Sequence, residues 1–177
     1  HETGGFDPRL AASWTQIDPV TWEFKLREGV TFQNGEPFNA EAVKYTIDRC
    51  VDPELKTLCR FGGAVSLDHV EIVDDYTIRI ITKKPAPGML TQLWILQIVP
   101  KDYYSSTPLE ELALKPVGSG PYKLVEWVKD ERIVFEAWDG YWGPQPAAKR
   151  VIYRPLPELA TRLAELETGG IDVAIDV

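Results

Sequence analysis

The sequence predicts an α+β chain in which mixed β-sheets carry packed helices. Three observations predict it. "VTWEFKLREGVTF" sets Trp22, Phe24 and Leu26 against Glu23, Lys25 and Arg27, the period-two pattern of a half-buried strand. "NAEAVKYTIDRC" places Val43, Ile47 and Cys50 at helical spacing behind Asn39, a good N-cap, with Glu41 in the first turn. From Tyr122 onward the order reads β-β-loop-β-α-β.

The remaining elements follow in order. "QNGEPF" carries Asn34-Gly35, which marks a tight turn between the first strand and the helix. "LDHVEIVDDYTIRIITKKP" reads as two strands joined at Asp74-Asp75, with Val70 and Ile72 alternating in one and Ile78 and Ile80 in the other. "APGMLTQLWILQIVP" holds a short helix before the chain extends into Pro100. "TPLEELA" is a further helix, with Thr107 as N-cap and Pro108 at the first helical position. "YKLVEWV" and "RIVFEAW" are strands around the turn "KDE", and "KRVIYRPL" is a third. "PELATRLAELETGG" is a helix with Leu159, Leu163 and Leu166 on one side and Gly169 near its C-cap. "IDVAIDV" is expected to be a final strand.

Composition narrows the function classes. The chain has 177 residues, 44% hydrophobic and 26% charged, the balance of a soluble globular protein. Six Trp and seven Tyr are generous for this length and suit either a core or walls on which a ligand stacks. A net charge of −8 with no dense Lys/Arg block disfavours nucleic acid as a partner. No apolar run approaches the roughly 20 residues of a membrane span. Residue 1 is His and the sole Met is Met89, as expected of a processed or excised product. "GGIDVAIDV" reads as a strand in want of a partner, so further chain is expected after it.

Catalytic chemistry finds little support. "PVGSGPYKLVEW" invites a phosphate-loop reading, but Pro121 removes an amide and a strand follows where a helix N-terminus is needed. Asp74-Asp75 suits a hairpin cap, and Glu110-Glu111 suits the first turn of a helix. His69, the sole internal histidine, stands beside Asp68 in a strand and has no nucleophile in view; a Ser119 hydrolase is disfavoured on that ground. No cofactor and no metal site is expected. Cys50 and Cys59, nine positions apart in "RCVDPELKTLCR", read either as two buried thiols or as a disulfide across a proline-containing loop.

Several stretches, taken together and in order, carry a resemblance. They are "LAASW" at 10–14, "TWEFKLREGVTFQNGEPFNAEAVKYTIDR" at 21–49, "PVGSGPYKL" at 116–124, "DGYWG" at 139–143 and "RLAELETGGIDVA" at 162–174. The chain resembles the extracytoplasmic solute-binding proteins of ABC importers, in the peptide- and nickel-binding family 5. The resemblance implies a fragment from the N-terminal side of a two-lobed, type II-like periplasmic-binding-protein fold. Residues 1–100 would form a small extra domain and residues 101–177 part of the first lobe.

The function implied is capture of a solute, a di- or oligopeptide above others, outside the membrane for import. Alternatives are another solute, such as a nickel complex or an oligosaccharide, or an interaction module without transport. Partners would be the small solute, the membrane permease and the remainder of the chain itself. The location would be periplasmic or extracellular, with lipoprotein tethering as one form. By the same resemblance Trp94, Leu96 and Gln97 would line the cleft, against the plainer reading that they pack a helix end. Gly118 and Gly120 would shape a backbone turn at its border, using angles closed to other residues. Trp142 would be structural, and Tyr122 and Trp127 would belong to the sheet. An exported chain selects the Cys50–Cys59 disulfide.

Overall fold

The computed structural model describes residues 5–52, 54, 67–93 and 95–175. The chain divides into two compact units, one of residues 1–121 with 138–145 and one of residues 122–137 with 146–177.

The first unit is built on an antiparallel sheet of β1 (Ala11–Asp18), β2 (Thr21–Leu26), β3 (Leu67–Asp74) and β4 (Thr77–Thr82), in spatial order β1-β2-β4-β3. Alternation puts Phe24 of β2 opposite Ile78 of β4, and Val70 of β3 opposite Ile80, all on one face. Helix α1 (Ala40–Val51) packs on that sheet through Val43, Ile47 and Cys50, the expected stripe. Asn39 caps it as expected: its side chain accepts from the Ala42 N–H at 3.1 Å. Asp18 and Asp74 close the two hairpins by accepting from the N–H groups of Val20 and Tyr76, at 2.8 and 2.9 Å. Those bonds hold both carboxyls below their ordinary range.

Three short helices complete the unit: α2 (Met89–Leu93), α3 (Lys101–Ser106) and α4 (Leu109–Leu114). Two were legible. The sequence gives no apolar stripe for α3, whose first turn is capped from elsewhere, as described below. Its presence moves the expected start of α4. Thr107 donates its N–H to Tyr103 O at 3.1 Å and so closes α3, while Pro108, at φ −59° and ψ 145°, stands outside α4 as its cap. Strand β1 was not expected either, and it forms by pairing with β2, Trp14 facing Phe24.

The second unit is a three-stranded antiparallel meander, β5 (Tyr122–Val128), β6 (Arg132–Ala137) and β7 (Arg150–Tyr153), followed by α5 (Leu159–Thr168). Asp130 turns the β5–β6 hairpin at φ 60°, a conformation that Asp tolerates better than most residues. Gly169, at φ 76°, ends α5. Gly170 N–H bonds Glu165 O at 2.7 Å and Gly169 N–H bonds Leu166 O at 3.3 Å, the paired bonds of a Schellman cap. Arg154 holds the Glu165 carboxylate with two bonds, at 2.8 and 3.1 Å. The strand expected at the C-terminus does not form over residues 171–175, which find no pairing partner among the described residues. All described pairings are antiparallel.

Ile47 sits 2% exposed between α1 and the sheet. Truncation there removes buried methylenes and leaves a cavity. Ile47→Ala is expected to cost about 2–5 kcal/mol in urea unfolding; a cost under about 1 kcal/mol would show that α1 does not carry the core.

Candidate functional site

Two phenylalanines fix the loop from which the site is built. Phe32 and Phe38 are 0% and 1% exposed, their rings edge to face at 6.3 Å. The chain between them reverses at Gly35, whose φ of 90° favours glycine, with Gly35 N–H donating to Phe32 O and Phe32 N–H to Glu36 O. The expected Asn34-Gly35 turn is therefore present, and it presents Gln33 and Glu36 outward.

Both residues reach distant segments. Gln33 donates its backbone N–H to Gly118 O at 2.9 Å and its side-chain amide to Gly120 O at 3.2 Å. Glu36 receives the N–H groups of Asp102 and Tyr103 at 2.9 and 3.0 Å, so one carboxylate caps α3. Asn34 steadies that carboxylate with a bond of 2.6 Å.

The loop "DGYWG" grips the same turn. Trp142 Nε1 donates to Ser119 O at 3.2 Å, and Trp138 N–H donates to Pro121 O at 2.8 Å. Together with Gln33, these bonds occupy the carbonyls of all four residues from Gly118 to Pro121. Ser119 is buried at 9% exposure. The Arg27 guanidinium lies 4.9 Å from the Trp142 ring centre, and Trp142 packs on the core. Its structural role matches expectation.

The reason given for the glycines at 118 and 120 does not hold. Neither has a left-handed φ, and an added Cβ would meet nothing nearer than 4.0 Å at Gly118 and nothing within 4 Å at Gly120. The turn is shaped by its hydrogen-bond partners. Close approach instead demands glycine at 140 and 143, where a Cβ would stand 2.7 Å from the Trp138 and Tyr141 rings.

The other expected cleft segment runs through residues 94–100. Trp94 lies outside the described residues. Leu96 is half-buried and packs on the core, Gln97 is exposed, and Pro100 is fully buried. Thr46 ties this segment to α1: its hydroxyl donates to Ala42 O at 2.8 Å and accepts from Val99 N–H at 3.1 Å. Arg49 of α1 rests 5.1 Å from the Tyr104 ring, and burial raises the Tyr104 hydroxyl above its ordinary value. Among the described residues no hydrogen bond joins the 96–97 pair to the 118–120 turn. A shallow recess of about 390 Å³ lies elsewhere, lined by Gln16, Asp18, Pro19, Pro85 and Pro87.

His69 is an exposed residue of β3. Its Nδ1 stands 2.8 Å from Asp68 and its Nε2 3.5 Å from Glu71, and these carboxylates, Asp68 foremost, raise its pKa. Among the described residues no group of three His, Cys, Asp or Glu side chains could hold a metal, and no helix is long and apolar enough to cross a membrane. Cys50 is buried at the last turn of α1, and no described cysteine is free. Cys59 lies outside the described residues.

What these segments can do is position backbone and polar side chains around a rigid core. Comparison with known proteins gives that arrangement a lineage. The profile of bacterial extracellular solute-binding proteins, family 5 Middle, matches residues 5–177. The chain belongs to that family. The family 5 chain is 35% identical over 174 residues to the glutathione-binding protein GsiB of Shigella flexneri, covering 95% of this chain and 33% of that one. It thus spans about a third of the length of the curated relatives it matches.

Solved structures agree. The periplasmic binding protein DppA of Helicobacter pylori, in complex with the peptide STSA, superposes with a TM-score of 0.77 at 30% identity, over 93% of this chain and 37% of that one. NikA of Brucella suis, in complex with Fe(III)-EDTA, gives 0.80 at 33% identity, over 93% and 34%. The α+β class and the binding-protein lineage therefore stand, and these relatives are extracytoplasmic binding proteins.

Sequence reasoning missed Gln33 and Glu36, although they flank the Asn34-Gly35 turn that it identified. Polar side chains on either side of Asn34-Gly35, between two buried Phe, were the available signal; their partners 66 to 87 residues away were not. In urea unfolding, Gly118→Ala and Gly120→Ala should change stability by less than about 0.5 kcal/mol. Gln33→Ala should cost about 1 kcal/mol, and Gly140→Ala about 1–3 kcal/mol by overpacking. A larger loss at Gly118 than at Gly140 would overturn this assignment.

Proposed function

We propose that the chain is part of the substrate-binding component of an ABC importer, capturing a di- or oligopeptide outside the cytoplasmic membrane and presenting it to a permease. The observation that carries this reading is membership of a solute-binding family across residues 5–177, with relatives described as binding glutathione and a tetrapeptide. The peptide assignment is favoured over a metal chelate because glutathione is itself a tripeptide and its binder is 35% identical to this chain. As a capture component it would carry out no reaction of its own. Its place would be periplasmic or extracellular, free or tethered as a lipoprotein.

Residues 1–100 are proposed as the small extra domain and residues 101–177 as part of the first lobe, with Trp94, Leu96, Gln97 and the 118–120 turn bordering the cleft. Among the described members of that set, Gln97 has an exposed side chain able to meet a solute, and Leu96 acts by packing. Ligand sites of this kind use a few convergent polar groups on a rigid frame. The second lobe would supply the opposing wall. Calorimetry against a peptide library should therefore show binding by the full-length gene product. The 177 residues alone should bind at least about a hundredfold more weakly, a difference of about 2.8 kcal/mol. Equal affinity of the two would refute the divided cleft, and no peptide binding by the longer product would refute the peptide assignment.

A disulfide between Cys50 and Cys59 belongs to the same reading. It is supported by the buried Cys50 in the last turn of α1 and by the extracellular family, since such bonds persist outside the reducing cytoplasm. Intact mass without reductant should be two hydrogens below the fully reduced value. Alkylation of both thiols in the purified protein would count against the bond.

A further inference from the structure

Asn34-Gly35 is the one Asn-Gly step in the sequence, and it carries a chemistry that the turn itself does not use. In such a step the glycine nitrogen, uncrowded by any Cβ, can attack the asparagine side chain. A bond forms from Gly35 N to Asn34 Cγ, the Cγ–Nδ2 bond breaks, and the Gly35 amide proton departs with Nδ2 as ammonia. Water then opens the cyclic imide at one carbonyl or the other, leaving aspartate or isoaspartate. Both residues are exposed, so water is at hand. Both reacting groups are nevertheless engaged in the fold. Gly35 N–H, whose proton must leave, donates to Phe32 O at 2.9 Å. Asn34 Nδ2 donates to Glu36 Oε1 at 2.6 Å, and Asn34 Oδ1 accepts the Glu36 N–H at 3.2 Å. The amide is pinned at both of its atoms, in a loop anchored by the buried Phe32 and Phe38.

We propose that Asn34 is a deamidation site governed by Glu36: shut while the loop is bonded, open once it is released, and unable to close again after the acid has formed. The last step follows from what Glu36 holds. Its Oε1 takes both the Asn34 amide and the Tyr103 N–H, at 2.6 and 3.0 Å, and its Oε2 takes the Asp102 N–H at 2.9 Å. Conversion of Asn34 replaces the donor at Oε1 with a second carboxylate at the same short range, and like charges so placed repel. Glu36 then swings away and leaves the amides of Asp102 and Tyr103 without their acceptor. Isoaspartate adds a backbone methylene to a turn whose glycine already stands at φ 90°. Helix α3 depends on that cap, since it buries no residue of its own. Asn39 offers the contrast. Its side chain is also bonded, to Ala42 N–H at 3.1 Å, but the Cβ of Ala40 crowds the nitrogen that would attack. The inference stands whichever solute the protein takes.

The test is peptide mapping by mass spectrometry of the full-length gene product, kept in mildly alkaline buffer either folded or in urea, with Asn39 as internal reference. Asn34 should convert at least about tenfold more slowly in the folded protein than in the unfolded one. Equal rates would overturn the protection. Glu36→Ala should raise the folded rate at least about threefold, and an unchanged rate would take the role from Glu36. Lys101→Ala is the control for loosening of α3 alone, since it removes the 2.8 Å bond to Glu41 and leaves the bonds of Asn34 in place. Its rate should match the unaltered protein; a rise equal to that of Glu36→Ala would overturn the assignment to Glu36. Asn34→Asp reads the consequence. Hydrogen exchange at the Asp102 and Tyr103 amides should be at least about fivefold faster than in Asn34→Ala, and the excess should shrink in roughly 1 M salt. Exchange no faster than in Asn34→Ala would overturn the repulsion.

Discussion

Burial of Phe32 and Phe38 is the constraint on which the first unit's irregular half depends. Each ring contributes about 1.5–3 kcal/mol by leaving water. The hydrogen bonds made by Gln33 and Glu36 contribute about 1 kcal/mol apiece. The rings therefore fix the loop, and the polar residues between them serve as its fingers. Irregular segments that cross a core must still find partners for their backbone groups. The first turn of α3 finds Glu36, and the 118–121 turn finds Gln33, Trp138 and Trp142. Helix α3 also reaches the stretch before that turn, Tyr103 donating its hydroxyl to Lys115 O at 3.0 Å. The turn that reverses at Gly35 bonds both segments at once.

Glycine serves two different purposes in this chain, with a third pair of positions where neither applies, and composition does not separate the cases. At Gly35 and Gly169 it supplies a left-handed φ. At Gly140 and Gly143 it makes room for a ring that folds back over its own loop. At Gly118 and Gly120 neither reason applies, and the turn is held by bonds to its carbonyls. A glycine flanked by apolar strands looks the same in all three cases. What separates them is the backbone angle and the placing of a ring two residues back, neither of which composition records.

Local signals made most of the fold legible. Asn39 ahead of an apolar stripe gave α1, period-two alternation gave β2 through β7, and Gly169 gave the end of α5. The failures share one cause. Helix α3 has no stripe and takes its cap from Glu36, 66 residues earlier. Strand β1 is an edge whose existence rests on β2. Residues 171–175 alternate like a strand and have no neighbour to pair with among the described residues. The candidate cleft residues fared in the same way: Leu96 is engaged by the core, Gln97 is exposed, and nothing in their own segment distinguished the two roles.

The second unit shows the same limit from the other side. Its elements are closed locally: Asp130 turns the hairpin, a Schellman cap ends α5, and Arg132 pairs with Glu126 across the hairpin. Each of these devices spans a few residues, so each is encoded within its own segment. Burial is different, because an apolar stripe specifies that something must cover it without specifying what. Leu159, Leu163 and Leu166 were readable as one face of a helix, and that face exists; the partner is not in their periodicity. Among the described residues of this unit the elements are closed locally, while Val134 alone of its hydrophobics is fully buried. Assembly of a lobe from segments distant in sequence would have this property, since the last segment to arrive supplies the burial that the earlier ones only anticipate.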